Sequence, residues 1–329
     1  MKFDASKIRQ SLLKGLRAGC VTGLAIVLGG GAQVSLEAAE TSECFAKKIV
    51  FTVAGYEGTE TLTGFPVLVK VSELIPNFSY ADCPSESIRF LDADGNLVPF
   101  EIDTWDTSAT SCIWVGVPEL KGKDTKVVMC YGGSGSQYAK ATGNLWSRAG
   151  YKSVWHMNIS GAATSDSVAS YAATVLNPNE YCGTRAGVVG GDYYCEQNEG
   201  SQNVGTYHCV KTTELEGFNA SVCTYTAWVR QVGGTKDSGM PDEAGYPHIT
   251  WGSWGNCGSI WNSNNKSNAN VPGIEFCLEG KGNNLKMMVV RDNVETKSDL
   301  SKSIYDKEWH HTVVRYDGTQ RTVWVDGAL

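Results

Sequence analysis

The 329-residue chain carries 28 basic and 35 acidic side chains, a formal net charge of −7, with only 19% of its residues charged. A chain this long accommodates two domains, each large enough to bury a core of its own. Low charge together with 10 Trp and 14 Tyr excludes a disordered chain, and the missing basic excess argues against nucleic acid as a partner.

Residues 1–39 differ from everything after them. Lys2, Lys7, Arg9, Lys14 and Arg17 form a basic leader, followed by an apolar run from Ala18 to Leu28 and then by Gly29, Gly30, Gly31 and Ala32. The apolar run is well short of the ~20 residues that span a bilayer. Its charge order and small residues suit a secretory signal peptide cut after Ala38 or Ala39, with a retained N-terminal anchor as the alternative. Cys20 precedes the apolar core, whereas lipidation requires a cysteine after it. Removing the five basic and two acidic residues of the leader leaves 23 basic and 33 acidic, a net of −10. That acidity favours solubility and disfavours anionic membrane surfaces, so membrane contact is expected only through export or the anchor.

Ten of the 11 cysteines follow the leader: Cys44, Cys83, Cys112, Cys130, Cys182, Cys195, Cys209, Cys223, Cys257 and Cys277. An even number in an exported chain reads as a disulfide set, and parity leaves its connectivity open. No C-x-x-C spacing supports a metal site.

From Lys47 onward, short alternating runs are broken by turn residues, and helical periodicity is scarce. Phe65–Ser72 reads as a strand. Ser87–Leu91, the turn Asp92–Gly95 and Asn96–Ile102 read as a hairpin. Cys112–Val117 and Lys126–Tyr131 continue the series, and such regular spacing predicts an all-β fold of antiparallel β-sandwich type. The runs Phe65-Pro-Val-Leu-Val, Ile88-Arg-Phe, Leu97-Val-Pro-Phe-Glu-Ile-Asp-Thr-Trp105, Ile113-Trp-Val-Gly-Val-Pro118 and Tyr131-Gly-Gly133 resemble, in order, the domain of unknown function numbered 2341. That resemblance covers about Phe65–Trp146 and implies no activity. It does imply company, since such domains tend to precede laminin-G-like modules in secreted proteins.

The second half fits that company. Val154-Trp-His-Met157 looks like an opening strand, and Tyr225-Thr-Ala-Trp-Val-Arg230 resembles a central one. Trp309-His-His-Thr-Val-Val-Arg-Tyr-Asp-Gly318 with Thr322-Val-Trp-Val-Asp-Gly327 forms two alternating strands, each closed by an Asp-Gly turn. The resemblance implies a concanavalin A-like jelly roll of two antiparallel sheets. The expected organisation is a signal peptide at 1–39, a β-sandwich domain of unknown function at 45–147, and a jelly roll at 150–329. Members of the resembled family usually continue with more strands, so the second domain is expected to be C-terminally incomplete.

Candidate chemistry is sparse. Glu101-Ile-Asp-Thr-Trp-Asp106 approaches the E-x-D-x-x-E strand of laminarinase-type glycosidases, and Glu101 and Asp103 share one face of a strand. A retaining hydrolase needs two carboxyls about 5–5.5 Å apart. Here the third acid is Asp106 rather than Glu, and the motif falls in the first domain. The favoured reading is therefore two strand residues on a half-exposed face, with no catalytic residues assigned. His156, His208, His248, His310 and His311 read as hydrogen-bonded structural histidines, because the adjacent His310 and His311 point to opposite faces of a strand.

Laminin-G-like sandwiches often hold one Ca²⁺ by loop carboxylates, which implies Asp192, Glu196 and Glu199 as candidate ligands. These three depart from the expected order, and solvated loop carboxylates are the alternative. The Gly-, Ser- and Asn-rich insertion between Gln231 and Phe276 holds Trp251, Trp254 and Trp261. Exposed indoles stack on the apolar faces of sugars, whereas the same rings packed under a loop pinned by Cys257 and Cys277 are structural. Sequons at Asn77, Asn158, Asn219 and Asn265 matter only in a glycosylating host.

Together these features predict a secreted or cell-surface recognition module that binds an extracellular glycan or protein ligand without catalysis. A secreted polysaccharide-degrading enzyme and a structural surface protein are the alternatives.

Overall fold

The computed structural model describes residues 47–53, 56–132, 145–158, 163–176, 182–195, 209–212, 222–230, 257–262, 274–281, 284–291, 294–299 and 308–327. The expected signal peptide lies outside them. The fold is all-β, with strands in antiparallel sheets. Among the described residues, α-helix is confined to a single turn, and no helix is long and apolar enough to cross a membrane.

In chain order the strands are β1 (Lys47–Thr52), β2 (Leu62–Val71), β3 (Arg89–Leu91), β4 (Leu97–Val98), β5 (Phe100–Thr104), β6 (Ser111–Leu120) and β7 (Lys126–Tyr131). The helical turn α1 (Leu145–Arg148) follows, then β8 (Ala163–Ser165), β9 (Ala172–Leu176), β10 (Cys182–Ala186), β11 (Gly191–Cys195), β12 (Cys209–Thr212) and β13 (Cys223–Val229). The series ends with β14 (Cys257–Asn262), β15 (Ile274–Lys281), β16 (Asn284–Arg291), β17 (Val294–Asp299), β18 (His310–Tyr316) and β19 (Arg321–Val325).

The chain divides into two compact units. The first holds the chain through Asn158 together with Thr164–Ala172 and Val189–Asp192; the second holds the remainder. In the first unit, β1-β7-β3-β4 form one sheet and β2-β6-β5 another. Alternation explains their shared core. Ile49 and Phe51 of β1, Val67, Val69 and Val71 of β2, Ile113, Val115 and Val117 of β6, and Val127, Met129 and Tyr131 of β7 all turn inward into one cluster. Tyr80 ties the connection after β2 to this core by donating from its hydroxyl to the Val71 carbonyl at 2.7 Å.

The residues between those core positions define the opposite face of the β2-β6-β5 sheet. Leu68, Trp114 and Glu101 lie in register across the three strands, as do Lys70, Cys112 and Thr104. Leu68 is fully buried and Cys112 is 5% exposed, while Lys70, Glu101, Thr104 and Trp114 are half-buried, so this face is partly covered. A bulge between Ile102 and Thr104 sets two residues of β5 against the single Cys112 of β6, and Asp103 is the extra residue. Bulges re-aim a side chain at the cost of one ladder position.

In the second unit, β13-β18-β19 form an antiparallel sheet in which Trp228 opposes His311 and Val313 opposes Trp324. β14-β15-β16-β17 form a four-stranded meander. β9 and β12 pair antiparallel over Ala173–Leu176 and Cys209–Thr212.

The disulfide expectation is corrected where cysteines are described. Cys83, Cys112, Cys130 and Cys223 form no disulfide. In the ladders, three of them have no cysteine opposite. Cys112 lies opposite Lys70 and Thr104, Cys130 opposite Lys48 and Arg89, and Cys223 opposite Tyr316. Cys83 is packed into the apolar core. For Cys182, Cys195, Cys209, Cys257 and Cys277 only the backbone is described, and Cys44 lies outside the described residues.

Candidate functional site

The covered face of the β2-β6-β5 sheet carries the densest polar cluster among the described residues, centred on Glu101 and Asp103. As the two-residue spacing requires, both carboxylates lie on the same side of β5. All five residues of β5 are half-buried, as expected of this face, and within it the Asp103 side chain is 1% exposed and that of Glu101 30% exposed. The deeper burial of Asp103 has a physical cause, because later segments of the first unit lie over the two carboxylates.

The first segment is α1 and the chain after it. The turn ends in a Schellman motif, in which Tyr151 N–H donates to the Trp146 carbonyl and Gly150 N–H to that of Ser147, both at 3.1 Å. Gly150 occupies the left-handed position this motif requires, with φ of 82°. The reversal leaves Trp146 facing the sheet, where its indole N–H donates to Glu101 Oε2 at 2.6 Å. Its ring packs edge-on against Trp114 and Tyr151 and tilted against His156, with centroids 5.2, 5.4 and 5.6 Å away.

His156 sits between the two carboxylates. Its Nε2 is 3.0 Å from Glu101 Oε1, and its Nδ1 is 2.7 Å from Asp103 Oδ2. With a carboxylate oxygen at each ring nitrogen, only the doubly protonated imidazolium donates to both. Burial opposes the charge, yet the hydrogen bonds to Asp103 and Glu101 outweigh it and hold the imidazole at about 9. The Trp146 ring packs beside this cation, tilted by 55° to it.

The second segment is the turn 166–171. Asp166 shapes it by accepting from the amides of Val168, Ala169 and Tyr171 at 2.7, 3.2 and 2.5 Å. The turn presents the Ser167 hydroxyl, which donates to Glu101 Oε1 at 2.5 Å. Burial would raise the Glu101 carboxyl, but the hydrogen bonds of His156, Ser167 and Trp146 prevail and hold it below the ordinary carboxylate value.

The third segment is 189–192. Gly190 has φ of 60°, and a Cβ there would overlap Asp103 Oδ1 and Thr104 Oγ1. A Cβ on Gly191 would fall 3.1 Å from Asn158 Oδ1. Two glycines therefore let the backbone pass between the sheet and Asn158. The Gly190 amide donates to the Cys112 thiol, whose pKa burial nonetheless raises. Asp103 is completed by donations from the Trp114 indole N–H to Oδ2 at 3.2 Å and from the Thr104 hydroxyl to Oδ1 at 3.1 Å.

Every oxygen of the two carboxylates thus accepts a hydrogen bond from the protein itself. The arrangement does not suit a metal ion. Glu101 and Asp103 engage opposite nitrogens of His156, so no single point faces all three ligands. Among the described residues no group of three or more His, Cys, Asp or Glu is disposed to hold a metal. Of the calcium candidates, Asp192 lies half-buried in β11, while Glu196 and Glu199 lie outside the described residues. Trp251 and Trp254 also lie outside them, and Trp261 is placed only by its backbone in β14, opposite Phe276.

Of the second-unit histidines, His310 and His311 are hydrogen-bonded, and His208 and His248 lie outside the described residues. His310 Nδ1 is 2.8 Å from Asp326 Oδ2, the His311 amide donates to Asp326 Oδ1 at 3.0 Å, and His311 Nε2 meets Thr226 Oγ1 at 2.6 Å. Burial pushes His311 down to about 4, so its ring is neutral.

Comparison with family models bears on the first unit. Residues 85–150 match a domain of unknown function, DUF2341. The match overlaps the stretch over which the sequence resembles that domain. It includes Glu101, Asp103, Trp114 and Trp146, and it ends six residues before His156. Comparison of the chain with curated proteins and with solved structures returns no match.

Proposed function

We propose that the protein is an exported recognition protein that binds an extracellular carbohydrate without catalysis. In this reading the first unit is a β-sandwich and the second a concanavalin A-like jelly roll. One observation carries the non-catalytic part: the carboxylate pair nearest to a hydrolase motif is closed upon itself. A retaining glycosidase needs one carboxyl protonated as acid and a free face on the other as nucleophile. Glu101 is instead held below its ordinary pKa, and His156 occupies the space between it and Asp103.

Export rests on the basic leader, its short apolar run and the acidic remainder of the chain. Carbohydrate as ligand rests on Trp251, Trp254 and Trp261 in the polar insertion, where indoles would stack on sugar rings. A loop-bound Ca²⁺ held by Asp192, Glu196 and Glu199 belongs to the same reading. The test is a polysaccharide panel probed with the full chain, with and without a chelator, while released reducing sugar is assayed in the same wells. Saturable binding without release, lost in Trp251→Ala and Trp254→Ala, is the expected result. Sugar release would overturn the non-catalytic reading. A folded protein that neither binds nor cuts would favour a structural surface role.

A further inference from the structure

A carboxylate as deeply buried as Asp103 is stable only with a cation and donors around it, because removing charge from water costs several kcal/mol per ion. The sheet that carries Asp103 supplies the Trp114 indole and the Thr104 hydroxyl, both neutral. Among the described residues, the cation in contact with both carboxylates is His156, which lies 55 residues after Glu101 in the chain. The Ser167 hydroxyl comes from 66 residues after Glu101, and the Gly190 backbone from later still. Between these returns the chain belongs to the second unit, at Ile159–Ala163 and Ala173–Val188.

We propose that the face of the β2-β6-β5 sheet around Glu101 and Asp103 is an intramolecular docking surface, and that its partner is the later chain: residues 145–158, 164–172 and 189–192. The first unit closes only when these segments have been laid over it. Three features mark the surface as shaped for that occupant. The bulge takes Asp103 out of the ladder and brings Thr104 opposite Cys112, where the Thr104 hydroxyl donates to the Asp103 carboxylate that faces the imidazole. Gly190 and Gly191 clear space for backbone on both sides of their strand, against Asp103 and Thr104 and against Asn158. Asp166 accepts from three amides of its own turn, which holds Ser167 at Glu101. The stretch matching the domain of unknown function therefore carries an acceptor face whose cation lies beyond the end of the match.

Hydrogen exchange measured by mass spectrometry on the full chain tests this. The variants are His156→Gln, Gly190→Val and Ser167→Ala, each altered in the docked segments and none in the sheet. Exchange in β5 and β6, at residues 100–104 and 111–117, is expected to rise at least tenfold in His156→Gln and Gly190→Val. In Ser167→Ala, which removes a single hydrogen bond, the expected rise is about fivefold. Leu74→Ala, at a side chain 93% exposed in the same unit, serves as the control and leaves exchange unchanged. If the first two variants do not fold, Ser167→Ala decides alone. Exchange within twofold of the parent at residues 100–117 in the folded variants overturns the proposal.

Discussion

His156 Nδ1 lies 2.7 Å from Oδ2 of Asp103, a carboxylate whose side chain is only 1% exposed. An ion pair in such a place adds little relative to an apolar pair of the same shape, but breaking it leaves a charge without a partner. His156→Gln is therefore expected to destabilise the first unit by about 3 kcal/mol. A double-mutant cycle with Asp103→Asn, followed by denaturant unfolding, is expected to show strong coupling between the two positions. Additive effects would mean that the pair does not interact.

The same pair sets the alkaline limit of the first unit. The His156 pKa is raised from 6.5 to about 9, so its contribution is complete below 6.5 and lost as pH rises through 9. Glu101 is shifted the other way, and its contribution is present above 4.5 and lost as pH falls through its lowered folded value. Thermal unfolding across pH is expected to show greatest stability between these limits. The difference between the parent and His156→Gln should shrink between pH 6.5 and 9.

The second unit has the opposite sensitivity. His311 is buried and neutral, lowered from 6.5 to about 4, so its contribution is present above 6.5 and disappears as pH falls through 4. Mild acid is thus expected to loosen β13-β18-β19 while the first unit remains closed. Exchange in residues 223–229 and 310–325 at pH 5 checks this, and His311→Asn should blunt the acid response.

Cys83 is buried, and burial pushes its thiol up to about 12; Cys112 is buried and raised as well. Thiolate is the reactive form, so neither is expected to alkylate in the folded protein. Unfolding without reductant should expose both to iodoacetamide, with mass spectrometry reading the adducts. Absence of adducts at both after unfolding would restore the disulfide expectation for them.

Gly150→Ala separates backbone strain from collision. A Cβ there meets nothing within 4 Å, yet φ is 82°. The left-handed conformation alone costs about 1–2 kcal/mol in a residue with a side chain. A loss of that size in unfolding free energy is expected, and no loss would mean that the reversal after α1 tolerates another conformation.

The strands were legible because alternation acts locally. Phe65–Ser72, Cys112–Val117 and Lys126–Tyr131 each announce themselves through residues two apart. The same rule placed Glu101 and Asp103 on one face. It could not say what covers that face, because the covering groups come from 45, 55 and 66 residues beyond Glu101. Residue type marks His156 as a hydrogen-bonded structural histidine but does not name its partners, and nothing in Gly190-Gly191 distinguishes a close backbone approach from a loop. The bulge at Asp103 was equally hidden, since it depends on the register of β6. Cysteine parity misled at Cys112 and Cys130, because a count carries no information on which cysteines approach one another in space.

The non-catalytic account rests on His156 as a cation locked between Glu101 and Asp103, and nitrogen-detected NMR of its imidazole tests that most directly. At pH 7.5 both ring nitrogens are expected to carry protons, with the ring titrating at about 9. A neutral His156 at pH 7.5, titrating near its ordinary value of 6.5, would contradict the account and leave a carboxylate pair open for chemistry.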